Sequence, residues 1–553
     1  MFSRSSETSR FLAISALLTI AGADCHGLED HGATSNNSQR ACTPSTFELL
    51  LPKGSSVVFT HSIGANGTFT ENSTNAGQPV TVSQLPALCA AKFTVPSSNS
   101  SAFDFALFLP LDWNERFMAT GNGGFGGYIN WGDMAQYSHY GFASMSTNTG
   151  HYSGAVSASW ALNNSETIVD WGYRALHEST VLSKILISAF YQAESRYNYF
   201  SSCSNGGRQG LKEVTAYPHD YDGVINGAPA WSLTYLFTWA AEVQAKNVPE
   251  SPGHISETQF QHVTKEIVSQ CDHQDGLTDG IVQDPRRCHF VPEKLLCNGT
   301  HALNGSTCLS SQQLSTLYYV LNDWVDTNQT FVSSALDLGA EYILANPSGA
   351  LYGLEFLRNF VYNTTAYGIE DFNYLETLND AKGSVSPTLD ANFEVEPFRA
   401  RGGKILQYHG LADELIPSGN TLSWRSNVQQ RLQAKGLSLD DWYRLFLVPG
   451  MNHCALSSAG APWYFAAALH QQSVQGAVYS TPGFEDARHD ITLAMMDWVE
   501  KSIAPSELIA TKYADDVVGR GVEKQRPLCP YPQSAEYKGD GNFNVAENWA
   551  CSW

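Results

Sequence analysis

Short apolar runs, each followed by a helical pattern, constrain this chain more than any other feature. "FDFALFLP" (103–110) and "RFMATGNGG" (116–124) read as strands, and "IVDWGYRALHESTVLSKILISAFY" (168–191) has helical apolar spacing. "YNYFSS" reads as the next strand, "GGRQGLKEVTAY" as a helix stopped by Pro218, and "YDGVINGAP" as a further strand. Strands and helices in alternation build a parallel sheet covered by helices. The rhythm breaks from about Trp231 to Pro397, a stretch too long for a simple connection. It resumes with the buried-strand runs "GGKILQYHG" (402–410) and "YRLFLVPG" (443–450) and a closing amphipathic helix, "ITLAMMDWVEKSI" (491–503). The expectation is an α/β catalytic domain over 24–230 and 398–553, with an inserted lid domain over 231–397.

The chain's start reads differently. Arg4 and Arg10 precede a short apolar core, Phe11 to Ile20, and Ala21-Gly22-Ala23 has the small residues of a cleavage site. Residues 1–23 therefore read as a secretory signal peptide. Nothing else approaches the roughly 18 consecutive apolar residues of a membrane span. Nine N-x-[ST] sequons, at Asn36, Asn66, Asn72, Asn99, Asn163, Asn298, Asn304, Asn328 and Asn363, fit a secreted, extracellular glycoprotein. Apart from Cys25 at the cleavage region, ten of the 11 cysteines remain, an even set that suggests five disulfides in an oxidising compartment. The net charge of −22, with no long basic run, argues against a nucleic-acid partner.

Ser204 lies in "YFSSCSNGGRQG", between the strand "YNYF" and the helix that starts near Gly206. Nucleophile elbows need small neighbours on both sides, usually as G-x-S-x-G. Here Ser202 replaces the first glycine, so on its own residues the stretch is either an elbow or a serine-rich turn. Asp413 in "YHGLADELIP" and His453 in "VPGMNHC" each follow a buried strand. The order Ser, Asp, His is that of α/β-hydrolases, and loops at the C-terminal edge of a parallel sheet build active sites. Cys203 precedes the serine and Cys454 follows the histidine, so a bond between them would clamp the two loops together. The stretch "GNGGFGG" matches G-x-G-x-x-G from Gly121, but no helix is read directly after it, so it is not a dinucleotide fingerprint.

"CSNGGRQGLKEVTAYPHDYDGVINGAPAW", "YHGLADELIP" and "PGMNHC", with "GNGGFGGYINW", "YGFASMSTNTGH" and "SWALNN…DWGYRALHES", together resemble the fungal tannase and feruloyl esterase family over nearly the whole mature chain. The resemblance implies an α/β-hydrolase fold, with Ser204 as nucleophile, His453 as general base and then acid, and Asp413 as the residue that orients the imidazole. The chain departs from the family at Ser202, where glycine is usual, and at Asn205, where threonine is common. The oxyanion hole is expected from the backbone N–H of Asn205 and from Gly123 or Gly124.

"CDHQDGLTDGIVQDPRRC" (271–288) carries Asp272, Asp275 and Asp279 on a tight loop. Its residues alone fit either a solvated acidic turn or a Ca²⁺ site, and the spacing is not that of an EF-hand. The resemblance implies a structural calcium held by these side chains and by the carbonyls of Leu277 and Ile281. It also implies the pairs Cys203–Cys454, Cys271–Cys288, Cys297–Cys308, Cys42–Cys89 and Cys529–Cys551. The function expected is a serine carboxylic-ester hydrolase cleaving small aromatic esters, galloyl or hydroxycinnamoyl, or a polymer that carries them. Two alternatives are an esterase that tailors a fungal secondary metabolite and a non-catalytic glycoprotein on a hydrolase scaffold.

Overall fold

The apolar runs become the middle of a nine-stranded sheet. The computed structural model describes residues 41–75, 78–297, 307–340 and 347–553. The signal peptide, Cys25 and the sequons Asn36, Asn298 and Asn304 lie outside them. In chain order the strands are β1 (Ser56–Ile63), β2 (Leu88–Pro96), β3 (Ala102–Pro110), β4 (Arg116–Thr120), β5 (Ala143–Thr147), β6 (Tyr197–Cys203), β7 (Gly223–Gly227), β8 (Lys404–Gly410) and β9 (Tyr443–Val448). Their order across the sheet is β1-β2-β3-β5-β4-β6-β7-β8-β9. The first three join antiparallel, and β3 also meets β5 antiparallel. From β5 to β9 every pairing is parallel. Strands β5 and β7 are buried along their whole length, as expected of strands covered on both faces.

Helices follow the parallel strands. The ones that matter for the site are α1 (Trp131–His139), α2 (Ala175–Tyr191), α3 (Asn205–Ala216), α4 (Leu233–Lys246), α5 (Glu257–Cys271), α6 (Pro347–Phe356), α7 (Ser418–Gln433) and α8 (Ile491–Lys501). Helix α1 was not placed from sequence. It opens on Asn130, whose side chain accepts from the backbone N–H of Asp133, a cap that the preceding glycines obscure. The long run read as one helix over 168–191 has a π-helical turn at Asp170–Arg174 before α2 begins.

The stretch from Trp231 to Pro397 lies between β7 and β8, which are direct neighbours in register from Gly223 against Lys404 to Gly227 against Tyr408. Its described residues are mostly helical, with one short hairpin among them, Trp324–Val325 against Phe331–Ser333. Its apolar core is continuous with Phe125, Ala158, Ala161 and Trp171 from the sheet portion. Cys42–Cys89, Cys203–Cys454, Cys271–Cys288, Cys297–Cys308 and Cys529–Cys551 are all bonded, the pairing expected above.

Candidate active site

Ser204 is the single residue between the end of β6 and the start of α3. Its φ of 66° and ψ of −127° are a conformation that side-chain-bearing residues avoid, at a cost of about 1–3 kcal/mol. Three main-chain bonds hold it there. Its N–H donates to Gly227 O (3.0 Å), and its carbonyl accepts from Arg208 N (3.1 Å) and Ala230 N (3.2 Å). The turn fits Ser202 because Gly206 lacks a side chain: a Cβ there would lie 1.9 Å from Ser202 Oγ. Alanine normally improves a helix interior by about 1 kcal/mol over glycine. Here the clash wins, so Gly206→Ala is expected to destabilise the protein by about 1–3 kcal/mol. Thermal unfolding reads this, and Ser202→Gly in the same background should restore much of the loss. An unchanged melting temperature in Gly206→Ala alone would contradict this packing.

Arg208, one turn into α3, was missed from sequence. It is fully buried and stacks over Trp171 at 4.8 Å. Nε donates to Asn205 Oδ1 (2.7 Å), Nη1 to the carbonyls of Gly172 (2.8 Å) and Leu389 (2.9 Å), and Nη2 to that of Trp171 (3.2 Å). The π-helical turn points the Trp171 and Gly172 carbonyls at the guanidinium. Burial lowers its pKa to about 9. Arg208 thus fixes Asn205 by its side chain. Among the described residues the Asn205 N–H donates to nothing, at a helix N-terminus where partial positive charge accumulates.

The glycine loop after β4 is ordered by its neighbours. Asn122 Nδ2 donates to the carbonyls of Tyr128 (2.6 Å) and Thr147 (3.0 Å). Phe125 packs its ring against Trp171, Phe237, Tyr352 and Phe360. The structure also separates the two candidate glycines. The Gly123 N–H donates to the Tyr128 hydroxyl (3.2 Å), whereas the Gly124 N–H has no acceptor among the described residues. Gly124 has φ +55°, and a Cβ there would meet Ala155 O at 2.3 Å, so only glycine fits.

Asp413 and His453 leave the ends of β8 and β9. Asp413 is buried and fully committed: Oδ1 accepts from the N–H groups of Leu415 and Ile416 (both 2.9 Å), and Oδ2 from His453 Nδ1 (2.8 Å). His409, also missed from sequence, lies with Nε2 3.2 Å from the same Oδ2. That nitrogen also faces Ile416 O (2.8 Å), so it carries the proton, and Nδ1 accepts from Thr421 Oγ1 (2.8 Å). Burial pushes the Asp413 carboxyl up, but the charge of His453 and the hydrogen bonds from both histidines outweigh it and hold the pKa well below the usual range. Burial pulls His453 down, and the charge and hydrogen bond of Asp413 reverse that to a net rise. With Nδ1–H on Asp413, the neutral imidazole presents a bare Nε2. Glu414 Oε2 accepts from the His453 N–H (3.1 Å), and burial followed by the Asp413 charge raises the Glu414 pKa.

Ser204, Asn205, Gly124 and His453 all line one cavity of about 230 Å³. The Cys203–Cys454 bond, spanning 251 residues, ties the two loops beside it. Cys454 (φ 65°) and Leu469 (φ 71°), both at the cavity, also have the positive φ that side-chain-bearing residues disfavour. No hydrogen bond joins Ser204 Oγ to His453 among the described residues; such contacts commonly tighten only when substrate binds.

The acidic loop has the donor chemistry calcium takes. Asp275 Oδ2 is buried without a hydrogen-bond partner, and its pKa is raised by burial first and then by Asp279 and Asp272. Asp272 accepts from the N–H groups of Asp279 (3.2 Å) and Gly280 (3.0 Å), while Asp279 also pairs with buried Arg526 (2.6 Å). Ile281 reaches the histidine loop, its Cγ2 lying 3.3 Å from where a Gly450 Cβ would be. A separate cluster at the far end of α3 brings together His177, Glu213 and Asp220. His177 Nδ1 lies 2.7 Å from Asp220, a hydrogen-bond separation, and burial with the Asp220 charge raises the Glu213 pKa.

The sheet order, and the turn, carboxylate and imidazole at the C-terminal ends of β6, β8 and β9, define an α/β-hydrolase. The chain belongs to the tannase and feruloyl esterase family, whose model matches residues 89–552, and is therefore a carboxylic ester hydrolase. It is 33% identical over 475 residues to feruloyl esterase B of Aspergillus niger, covering 84% of this chain and 86% of the relative. It is equally similar, over 472 residues, to a probable feruloyl esterase B-1 of Aspergillus fumigatus, covering 84% and 85%. The crystal structure of feruloyl esterase B from Aspergillus oryzae superposes with a TM-score of 0.84 at 30% identity, covering 93% of this chain and all of that one. Tannin acyl hydrolase from Aspergillus niger, 21% identical with a TM-score of 0.69 over 93% and 95% of the two chains, shares the fold.

Proposed function

We propose that this chain is a secreted serine esterase that hydrolyses aromatic carboxylic esters, galloyl or hydroxycinnamoyl, through an acyl-enzyme. The observation that carries the reading is the clamp: Ser204 on a strained turn, bonded through its neighbour to the neighbour of a histidine that Asp413 orients. Ser204 Oγ attacks the ester carbonyl while His453 Nε2 takes its proton. The developing oxyanion is met by the N–H groups of Asn205 and Gly124. Collapse of this intermediate breaks the carbon–oxygen bond, and His453 returns the proton to the departing alcohol. Water, deprotonated by the same nitrogen, then attacks the acyl-enzyme and releases the acid. Asp413 stays ionised throughout and stabilises the imidazolium. Five disulfides support an oxidising compartment, and the exposed sequons Asn66, Asn99 and Asn328 support a glycoprotein. Among the described residues no helix is long and apolar enough to cross a membrane. Chromatographic detection of acid released from methyl ferulate and methyl gallate tests the reading, and turnover of no ester at all would refute it.

Asp272, Asp275 and Asp279, with the carbonyls of Leu277 and Ile281, would hold a structural Ca²⁺ that neutralises the crowded carboxylates and orders the loop against the histidine strand end. Dialysis against EGTA should then lower the melting temperature by several degrees, since a ligand at 100 times its Kd contributes about 2.7 kcal/mol. Metal analysis that finds no retained calcium, with an unshifted melting temperature, would remove calcium from this account.

A further inference from the structure

We propose that His177, Glu213 and Asp220 form a binding site for a divalent first-row transition-metal ion such as Zn²⁺, at the opposite end of α3 from Ser204. The three side chains come from three elements. His177 stands in the first turn of α2, Glu213 in the last turn of α3, and Asp220 in the turn that leads into β7. One ligand atom from each, an imidazole nitrogen and two carboxylate oxygens, lies within 4.8 Å of the other two. Ligands at tetrahedral angles on zinc bonds of about 2.1 Å sit about 3.4 Å apart, so small side-chain rotations bring all three onto one ion. The pair formed by His177 Nδ1 and Asp220, at 2.7 Å, has only to open slightly.

The observation that points to a cation is Glu213. It is 1% exposed, and neither of its carboxylate oxygens accepts a hydrogen bond from any described residue. A buried carboxylate without donors is costly. It faces a second carboxylate, Asp220, and two acceptors meet there only around a shared proton or a cation. A shared proton serves one Glu213 oxygen and leaves the other without a partner, whereas an ion can take both. The nearby ammonium of Lys184 donates to the Asp220 main-chain carbonyl. His177 is held by parallel stacking on Tyr217, with ring centroids 3.6 Å apart. One imidazole with two carboxylates suits a transition ion better than Ca²⁺, which takes oxygen ligands. The His177 side chain is 27% exposed, which gives the ion an entry path and a water for its fourth position. Glu213 lies two turns down α3 from Asn205, about 12 Å along the axis, so the ion takes no part in ester chemistry. It pins α2 to the helix that carries the nucleophile turn.

The test uses the intact protein, stripped with EDTA and then dialysed into excess Ca²⁺ so that the acidic loop does not compete for the added ion. Zn²⁺ is titrated by calorimetry. One equivalent is expected to bind, and Zn²⁺ at about 100 times its Kd should raise the melting temperature by a few degrees. His177→Gln and Glu213→Gln each remove one ligand. Each should weaken this binding by at least the roughly 10- to 100-fold that loss of an outer-shell partner costs. Zn²⁺ that binds equally well to both variants sits elsewhere and overturns the proposal. So does a protein that binds no Zn²⁺ and whose Glu213→Gln variant melts higher than wild type, the pattern of a shared proton alone. Wild-type crystals grown with Zn²⁺ give a readout that needs no variant to fold. An anomalous-difference peak between the three side chains supports the site, and a map without one overturns it. A peak in the crystal with no calorimetric binding in solution is an adventitious ion only and overturns it too.

Discussion

Ser204→Ala lowers kcat by about 10⁴- to 10⁶-fold, with near-ultraviolet circular dichroism and melting temperature close to wild type. The size follows from what remains. The N–H groups of Asn205 and Gly124 and the apolar pocket still bind and polarise the ester, so hydrolysis above the background persists, but no acyl-enzyme forms. His453→Ala should cost about as much, and the double variant little more, because the two groups act on one proton. Asp413→Asn should cost about 10⁴-fold, since an amide facing Nδ1 favours the wrong tautomer. The signature is this lack of additivity. A Ser204→Ala enzyme retaining a tenth of wild-type activity, or single losses that multiply in the double variant, would exclude the triad.

The next largest effect is expected from removing the clamp. Cys203 and Cys454 are both buried, and their bond closes a loop of 251 residues. Replacing both with alanine releases the unfolded chain from that constraint, a change of about 2–5 kcal/mol. It also frees His453, whose loop carries the unfavourable backbone of Cys454. Displacement of a catalytic group by about 1 Å can cost on the order of 100-fold. The double variant should therefore melt several degrees lower and lose roughly 10- to 100-fold in kcat, with KM less affected. Calorimetry and steady-state kinetics on one preparation measure both. Full stability together with full activity would show that main-chain packing alone holds the two loops.

Much of the site was legible because its signals are local. Each of Ser204, Asp413 and His453 follows a run apolar enough to be a buried strand, and the flanking cysteines are neighbours in sequence. The rest depends on contacts between distant segments. Arg208 reads as an ordinary helical arginine until the π-helical turn, some 35 residues earlier, supplies the carbonyls it satisfies. His409 lies four residues before Asp413, but a period of four has no meaning on a strand end; only the turn at Leu411–Pro417 brings the rings to one carboxylate. Gly123 and Gly124 are indistinguishable in the sequence. Tyr128, folded back over the loop, occupies one N–H and leaves the other. The pocket wall carries no motif because apolar side chains at helical spacing signal burial and not ligand.

The stretch from Trp231 to Pro397 departs after Gly227, at the C-terminal end of β7, and the chain rejoins the sheet at Lys404, which pairs with Gly223 at the other end of the same strand. The chain between those two points can vary without shifting the pairing of β7 with β8, provided that it keeps the contacts it makes with the site, such as the Leu389 carbonyl that holds Arg208. Reaction and taste for substrate are thereby uncoupled in inheritance: substitutions along Leu233 to Ala240, on the cavity wall, can redirect the enzyme to a new acid while the chemistry stays fixed.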